Sequence, residues 1–170
     1  MINIKNQEER KELRKLRRRL KRKIEKIEKL IAEAEESKRP LLISEKLVIE
    51  YLLSAIDNKI KYLVSIERGG GQPETLPEPV SAKEIKQDVL TSDEGKVWSY
   101  ILELRRQASI LNSRIYGLSK KYEQKKSKSI YREILTTSYK LALLRREKQL
   151  YYLFLLAKKK GAIDEAGTTL

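Results

Sequence analysis

Between Arg10 and Lys23 the chain places ten basic residues in a run of fourteen, RKELRKLRRRLKRK, with Glu12 the only acid. Six are arginines (Arg10, Arg14, Arg17, Arg18, Arg19, Arg22); the others are Lys11, Lys15, Lys21 and Lys23. A guanidinium is always charged, and its planar fork of donors matches phosphate oxygens. The chemistry this run can do is therefore anion binding. Leu13, Leu16 and Leu20 keep a helical beat through it. A disordered basic tail has no reason to keep that beat, whereas a helix with one buried stripe does. Fourteen helical residues span roughly 21 Å. Duplex DNA carries one phosphate charge per about 1.7 Å of axis, so that length can face several phosphates. With the stripe excluded, the basic side chains cover most of the helix circumference, which suits burial between nucleic acid surfaces. No aromatic interrupts the run, which favours backbone contact over base stacking or sequence readout. The competing reading, a solvated face held by pairs such as Glu25–Lys29, is disfavoured by one acid among ten cations.

A second basic group comprises Arg105, Arg106, Arg114, Lys120, Lys121, Lys125, Lys126 and Lys128. Two readings stay open for it: it completes a groove around the same polyanion, or it is the solvated face and turn of a helical hairpin. Cysteine and histidine are both absent. No disulfide framework, thiolate metal site or cysteine nucleophile exists, and the commonest acid–base group and metal ligand is missing. An iron-binding bundle needs Glu-x-x-His on two helices, and Glu50, Asp57, Glu103, Glu133 and Glu147 are scattered. Gly69, Gly70 and Gly71 lack the Gly-Lys-Ser/Thr of a phosphate loop and follow a helix where such a loop follows a strand. The expectation is a non-enzyme without cofactor, metal or small-molecule substrate.

Charge is unevenly spread over the 170 residues, whose net charge is +14. Residues 1–43 carry 15 basic and 8 acidic groups, 44–68 balance at 4 and 4, and 69–95 carry 2 against 6. Residues 96–126 return to 8 against 2, and 127–170 to 9 against 4. An anionic partner should therefore meet the two basic ends of the chain rather than its middle. The N-terminal sequence lacks the apolar core of a signal peptide, which points to the cytoplasm. The longest apolar stretch, Leu150 to Ala157, is eight residues, far short of a membrane span.

The elements that must position these groups are helices. Asn6 with Glu9 makes a capping box for a first helix running to about Glu36, with a narrow seam of Leu13, Leu16, Leu20, Ile24, Ile27, Ile31 and Ala34. Pro40 is expected to end it, and Ser44 and Glu45 to start a second helix that stops at Arg68. The stretch GGGQPETLPEP is a surface loop or crossover. Ser81 with Glu84 opens a short helix, and Thr91 with Glu94 a long one whose seam runs from Val97 to Tyr122 at alternating steps of 4 and 3. The polar junction 120–129 reads as a turn before a last helix that ends in Lys158, Lys159, Lys160 and Gly161. In that helix LYYLFLLA is apolar all round, and a subunit contact is the favoured cover for it over burial within the chain. Most of the nine tyrosines fall at or beside seam positions, as core or interface groups. The expected architecture is an all-α helical bundle: a basic arm at 1–43, then a bundle domain at 44–170 that contains the loop 69–81 and a long hairpin.

The basic helix RKELRKLRRRLKRK, the absence of Cys and His, and the 93–160 hairpin together resemble the major capsid proteins of filamentous and rod-shaped archaeal DNA viruses (lipothrixvirus- and rudivirus-like). The likeness is one of architecture over most of the chain, without a diagnostic motif. Few Asn and Gln with many Lys, Glu, Ile and Tyr fit a heat-tolerant source, a thermophile. The resemblance implies a structural nucleoprotein role: viral subunits, paired as a homo-oligomer or with a paralogous chain, polymerise into a filament. They wrap double-stranded DNA in an A-like form, without reading sequence. It also implies a place in the virion, with the host cytoplasm before assembly, and an acidic 69–95 segment facing outward or toward a neighbour. The alternatives are a cellular chromatin or RNA-binding protein, a membrane-surface scaffold and a coiled-coil adaptor. The scaffold is disfavoured by a seam without bulky aromatics, and the adaptor leaves the charge unused.

Overall fold

The computed structural model describes residues 4–161, and among them it has five helices and no strand. They are α1 (Ile4–Glu33), α2 (Arg39–Gly69), α3 (Ala82–Thr91), α4 (Glu94–Gln124) and α5 (Lys128–Lys159). The all-α bundle is as the periodicity predicts. Helix α1 lies on α2, α2 on α5, and α4 and α3 also on α5. The apolar seam of α1 is buried: Leu20 and Ile27 close against Ile49 and Ile56, with Leu13, Leu16, Ile24 and Ile31 alongside. Arg10 with Glu67, Arg17 with Asp57 and Lys46 with Glu28 fix this pairing as antiparallel. Helix α1, the main part of the segment 1–43 read as an arm, is thus laid along α2, and residues 39–43 belong to α2 itself.

Several boundaries differ from expectation, each for a local reason. Pro40 opens α2 and does not close α1, since a residue without an N–H sits well in a first helical turn. Ser44 is then buried inside α2 and caps nothing. Helix α1 stops at Glu33, not Glu36, and Asn6 lies inside it as a buried residue. Ser81 does cap α3, accepting from the Lys83 N–H. Thr91 does not cap α4: it is the last residue of α3 and donates back to the Gln87 carbonyl, while Asp93 accepts from the Lys96 N–H. The α4–α5 junction breaks at residues 125–127, as expected of a turn there.

Helix α5 is the hub. Leu150, Phe154, Leu155 and Ala157 are each at most 1 % exposed, packed in one cluster with Val48, Ile85, Val89, Val97, Ile101 and Leu104 of the same chain, and Leu153 is 2 % exposed. The stretch expected to need a subunit contact is therefore central, because α2, α3 and α4 approach it from different sides. Each large apolar side chain so buried contributes about 1.5–3 kcal/mol.

The connection from Gly69 to Ser81 is a strap laid on one side of the α2–α5 pair. Gly70 turns the chain out of α2 at φ 70°, ψ 178°, a region essentially reserved for glycine. Arg132 donates from Nε to Ser65 Oγ and from NH2 to the Ser65 carbonyl, holding the end of α2. Along the strap, Tyr62 Oη accepts from the Glu74 N–H, Tyr139 donates to the Pro77 carbonyl and Arg146 donates to the Val80 carbonyl. Leu76 is pressed into the core beneath. The opposite side of the same helix pair carries no strap.

Candidate nucleic-acid interface

On α1, successive residues turn by about 100°, so the apolar seam faces α2 and the side opposite it collects Lys11, Arg14, Lys15, Arg18, Arg19, Lys21 and Arg22. All seven are exposed. Lys15 pairs with Glu12 one turn away at 3.1 Å. The other six have no acidic partner among the described residues. Two shallow clefts open between them, one lined only by Lys15, Arg18, Arg19 and Arg22, the other only by Arg14, Arg17, Arg18 and Lys21.

Arg10, Arg17 and Lys23 fall on the flanks of the seam and are not free. Arg10 meets Glu67 at 2.6 Å, with both side chains less than 20 % exposed, and Arg17 Nε stands 2.7 Å from Asp57. Lys23 is half-buried and also engaged within the chain. Helix α1 is thus cationic on one side and does not present charge around nearly its whole circumference. The cause is its packing on α2, which covers the seam and draws the flanking cations to the acids of α2.

The second basic group divides. Arg106 donates twice to Glu103, whose carboxyl is held down at about 2 by that bond and by Gln107. Arg114 pairs with Glu133 at 2.5 Å. Lys120 lies 4.6 Å from the centre of the Tyr116 ring. Arg105 stands beside Lys148, whose pKa is lowered by burial and then by the charges of Arg105 and Arg145. Lys121, Lys125, Lys126 and Lys128 are exposed without an acidic partner among the described residues.

The chain path decides which of these meet the α1 face. Arg10 marks the start of α1 and pairs with Glu67 at the end of α2, and Gly69 just beyond lines one trough with Lys128 at the start of α5. The turn carrying Lys125, Lys126 and Lys128 is therefore at the same end of the molecule as the basic half of α1. Arg105, Arg106 and Arg114 are carried on α4, which packs on α5 and not on α1. They do not form one groove with α1.

Between the last turns of α2 and the first of α5 runs a trough lined by Ile60, Lys61, Val64, Ser65, Arg68, Gly69, Lys128 and Tyr131. Sequence reasoning singled out Lys128 but not Lys61 or Arg68, because charge counted over 44–68 balances. The signal that finds them is helical spacing: Asp57, Lys61, Val64 and Arg68 fall 4, 3 and 4 apart, on one side of α2.

Of the tyrosines, Tyr62, Tyr139 and Tyr151 are buried, while Tyr100 and Tyr116 are exposed. Among the described residues, no helix is long and apolar enough to cross a membrane. Comparison with known proteins yields no matching family model, no similar curated protein and no similar solved structure, so what this surface does must be argued from its own geometry.

Proposed function

We propose that the protein is a structural nucleic-acid packaging protein that binds the phosphate backbone of double-stranded DNA without reading its sequence, as a subunit of a polymeric nucleocapsid. One observation carries this reading. Helix α1 holds six exposed Lys and Arg side chains without acidic partners on one side, and its apolar seam is locked on the other. Such a face is rigid, so binding costs little ordering of backbone. Its mutual repulsion is relieved only by an anion or by salt. The absence of aromatics on it favours phosphate over bases. Burial of the seam also supports DNA over a lipid surface, since no apolar side of α1 is left to enter a membrane interface. The outward side of α4 exposes Leu102, Ile110 and Tyr116, each more than half accessible, which supports assembly between subunits. A virion subunit of the archaeal filamentous type is the form of packaging protein that this combination fits, homo-oligomeric or paired with a paralogous chain.

The test is binding to linear duplex DNA across a salt series. The affinity should fall with a log–log slope of about −0.9 per phosphate contact. Replacing Arg14, Arg18, Arg19 and Arg22 by Ala should flatten that slope by roughly three to four contacts' worth. Equal binding by this variant would remove α1 from the site. Electron microscopy of the protein with linear DNA should show regular filaments. Isolated complexes would point to a chromatin-type protein, and decoration of anionic vesicles alone would overturn the DNA reading.

A further inference from the structure

The two sides of the α2–α5 pair differ in charge. On the strap side, the cavity between the helices is lined by two acids, Glu74 and Glu133, and one cation, Arg132. On the bare side, the trough carries Lys61, Arg68 and Lys128 and no acid at all. All three cations are exposed and lack an ion-pair partner among the described residues. Ile60, Val64 and Tyr131 form an apolar floor along which the aliphatic stems can lie, leaving the charged heads at the rim. Ile60 also packs against the cluster that joins α1 to α2, so the trough borders the α1–α2 seam. Arg17 of α1 reaches Asp57, in the same row of α2 as Lys61 and Arg68. The basic half of α1 and the trough are thus neighbours on one continuous surface.

We propose that this bare side is a second phosphate-binding surface, in which Lys61, Arg68 and Lys128 contact the backbone of the same duplex that α1 engages. The inference rests on the DNA reading above and deepens it from one helix to a face three helices wide. Helices pack 8–10 Å apart, so the α2–α5 cleft lies about one and a half spacings, roughly 12–15 Å, from the axis of α1. That is close to the about 12 Å width of a major groove, whose two bordering strands can then meet α1 and the trough separately.

The experiment measures binding of a labelled linear duplex of mixed sequence across a salt series, for the full chain and three variants. Replacement of Lys61, Arg68 and Lys128 by Gln should flatten the log–log slope by about 2 to 3, at about 0.9 per contact. Thermal unfolding should be unchanged, since all three side chains are exposed. The strap-side control, Lys140→Gln, removes a cation from the opposite side and should leave the slope unchanged. A full slope in the trough variant, with a reduced slope in the α1 arginine variant, overturns the second surface and leaves the α1 reading standing. An equal loss per charge in Lys140→Gln also overturns it, because net charge alone would then explain the effect. A wild-type slope near zero removes both. A slope lowered by the trough variant but not by the α1 variant keeps this face and removes α1.

Discussion

The strap side and the bare side of the molecule are built from the same two helices, α2 and α5, yet they treat their charges in opposite ways. On the strap side, Lys140 has Glu74, Lys59 has Glu9 and Glu78, and Arg146 has the Val80 carbonyl. Tyr151 donates to Asp88 just beyond, where α3 meets α5. On the bare side, Lys61, Arg68 and Lys128 have no acidic partner among the described residues. The acidic segment 69–95 accounts for the difference. It folds back on its own chain, and Glu74, Glu78, Asp88 and Glu94 all find partners there, Glu94 with Lys159 at 2.5 Å. These acids therefore offset cations on the strap side, and none of them lines the trough on the bare side. Charge counted by segment and charge counted by face are different quantities, and only the second meets a ligand.

The sharpest way to break this arrangement is to remove the support both sides share. Phe154 is 1 % exposed at the centre of the α2–α3–α4–α5 core. Phe154→Ala should cost about 3–5 kcal/mol, because the transferred ring and the cavity left behind both count. Urea unfolding of the dilute protein checks it. A loss below about 1 kcal/mol would mean that this stretch is covered by another subunit after all.

A smaller effect should fall on one side only. Leu76 is the strap's apolar anchor. Leu76→Ala should cost about 2–3 kcal/mol, at the low end for a leucine because the strap can settle inward. Proteolysis between residues 69 and 80 should quicken, while the salt slope of DNA binding stays that of the native chain. A changed slope would mean that the strap shapes the binding face.

Alkali should probe the strap side in the same selective way. Burial, then the charges of Glu78 and Glu9, push the Tyr139 hydroxyl up to about 12. Burial and Glu147 do the same for Tyr100, again to about 12, and burial with the Asp88 bond raises Tyr151. A raised folded pKa favours the neutral form. Its stabilisation is complete below the unfolded tyrosine value near 10 and is lost as pH climbs through about 12. Tyrosinate absorbance should therefore show an ionisation near pH 12 that diminishes in Tyr139→Phe. Complete ionisation of every tyrosine by pH 10.5 would contradict the buried geometry.

How far the sequence carried this picture follows from what periodicity can encode. The seam Leu13–Ile31 and the row Val97–Tyr122 were legible because a buried stripe repeats every three to four residues whatever it packs against. The identity of the neighbour is not in that repeat. Arg10 and Arg17 therefore counted as free cations until α2 brought Glu67 and Asp57 against them. The centre of the bundle was missed for the same reason, since an all-apolar turn at 150–157 is equally suited to a core and to a subunit interface. Pro40 misled because one residue type both stops a helix and starts one, and only the following register decides. Lys61 and Arg68 were hidden by averaging: the acids that balance them in sequence, Asp57 and Glu67, are spent on α1.

The smallest expected effect tests that last point. Asp57 is the acid that ties down Arg17 on the side where the α1 face meets the trough, and both groups are partly exposed. An exposed pair of this kind contributes about 0–1 kcal/mol, so Asp57→Asn should barely move the unfolding midpoint. Its effect on DNA binding should run the other way. The substitution removes a negative charge from the row that holds Lys61 and Arg68, and it frees Arg17 to turn toward solvent beside Arg14 and Lys21. The salt slope should steepen by about 0.9, one further phosphate contact. The same substitution made at Glu78, on the strap side, should leave the slope where it was, since the Lys59 it releases is still held by Glu9. Equal steepening from Asp57→Asn and Glu78→Gln would show that the duplex responds to total charge, and the distinction between the two sides would fall.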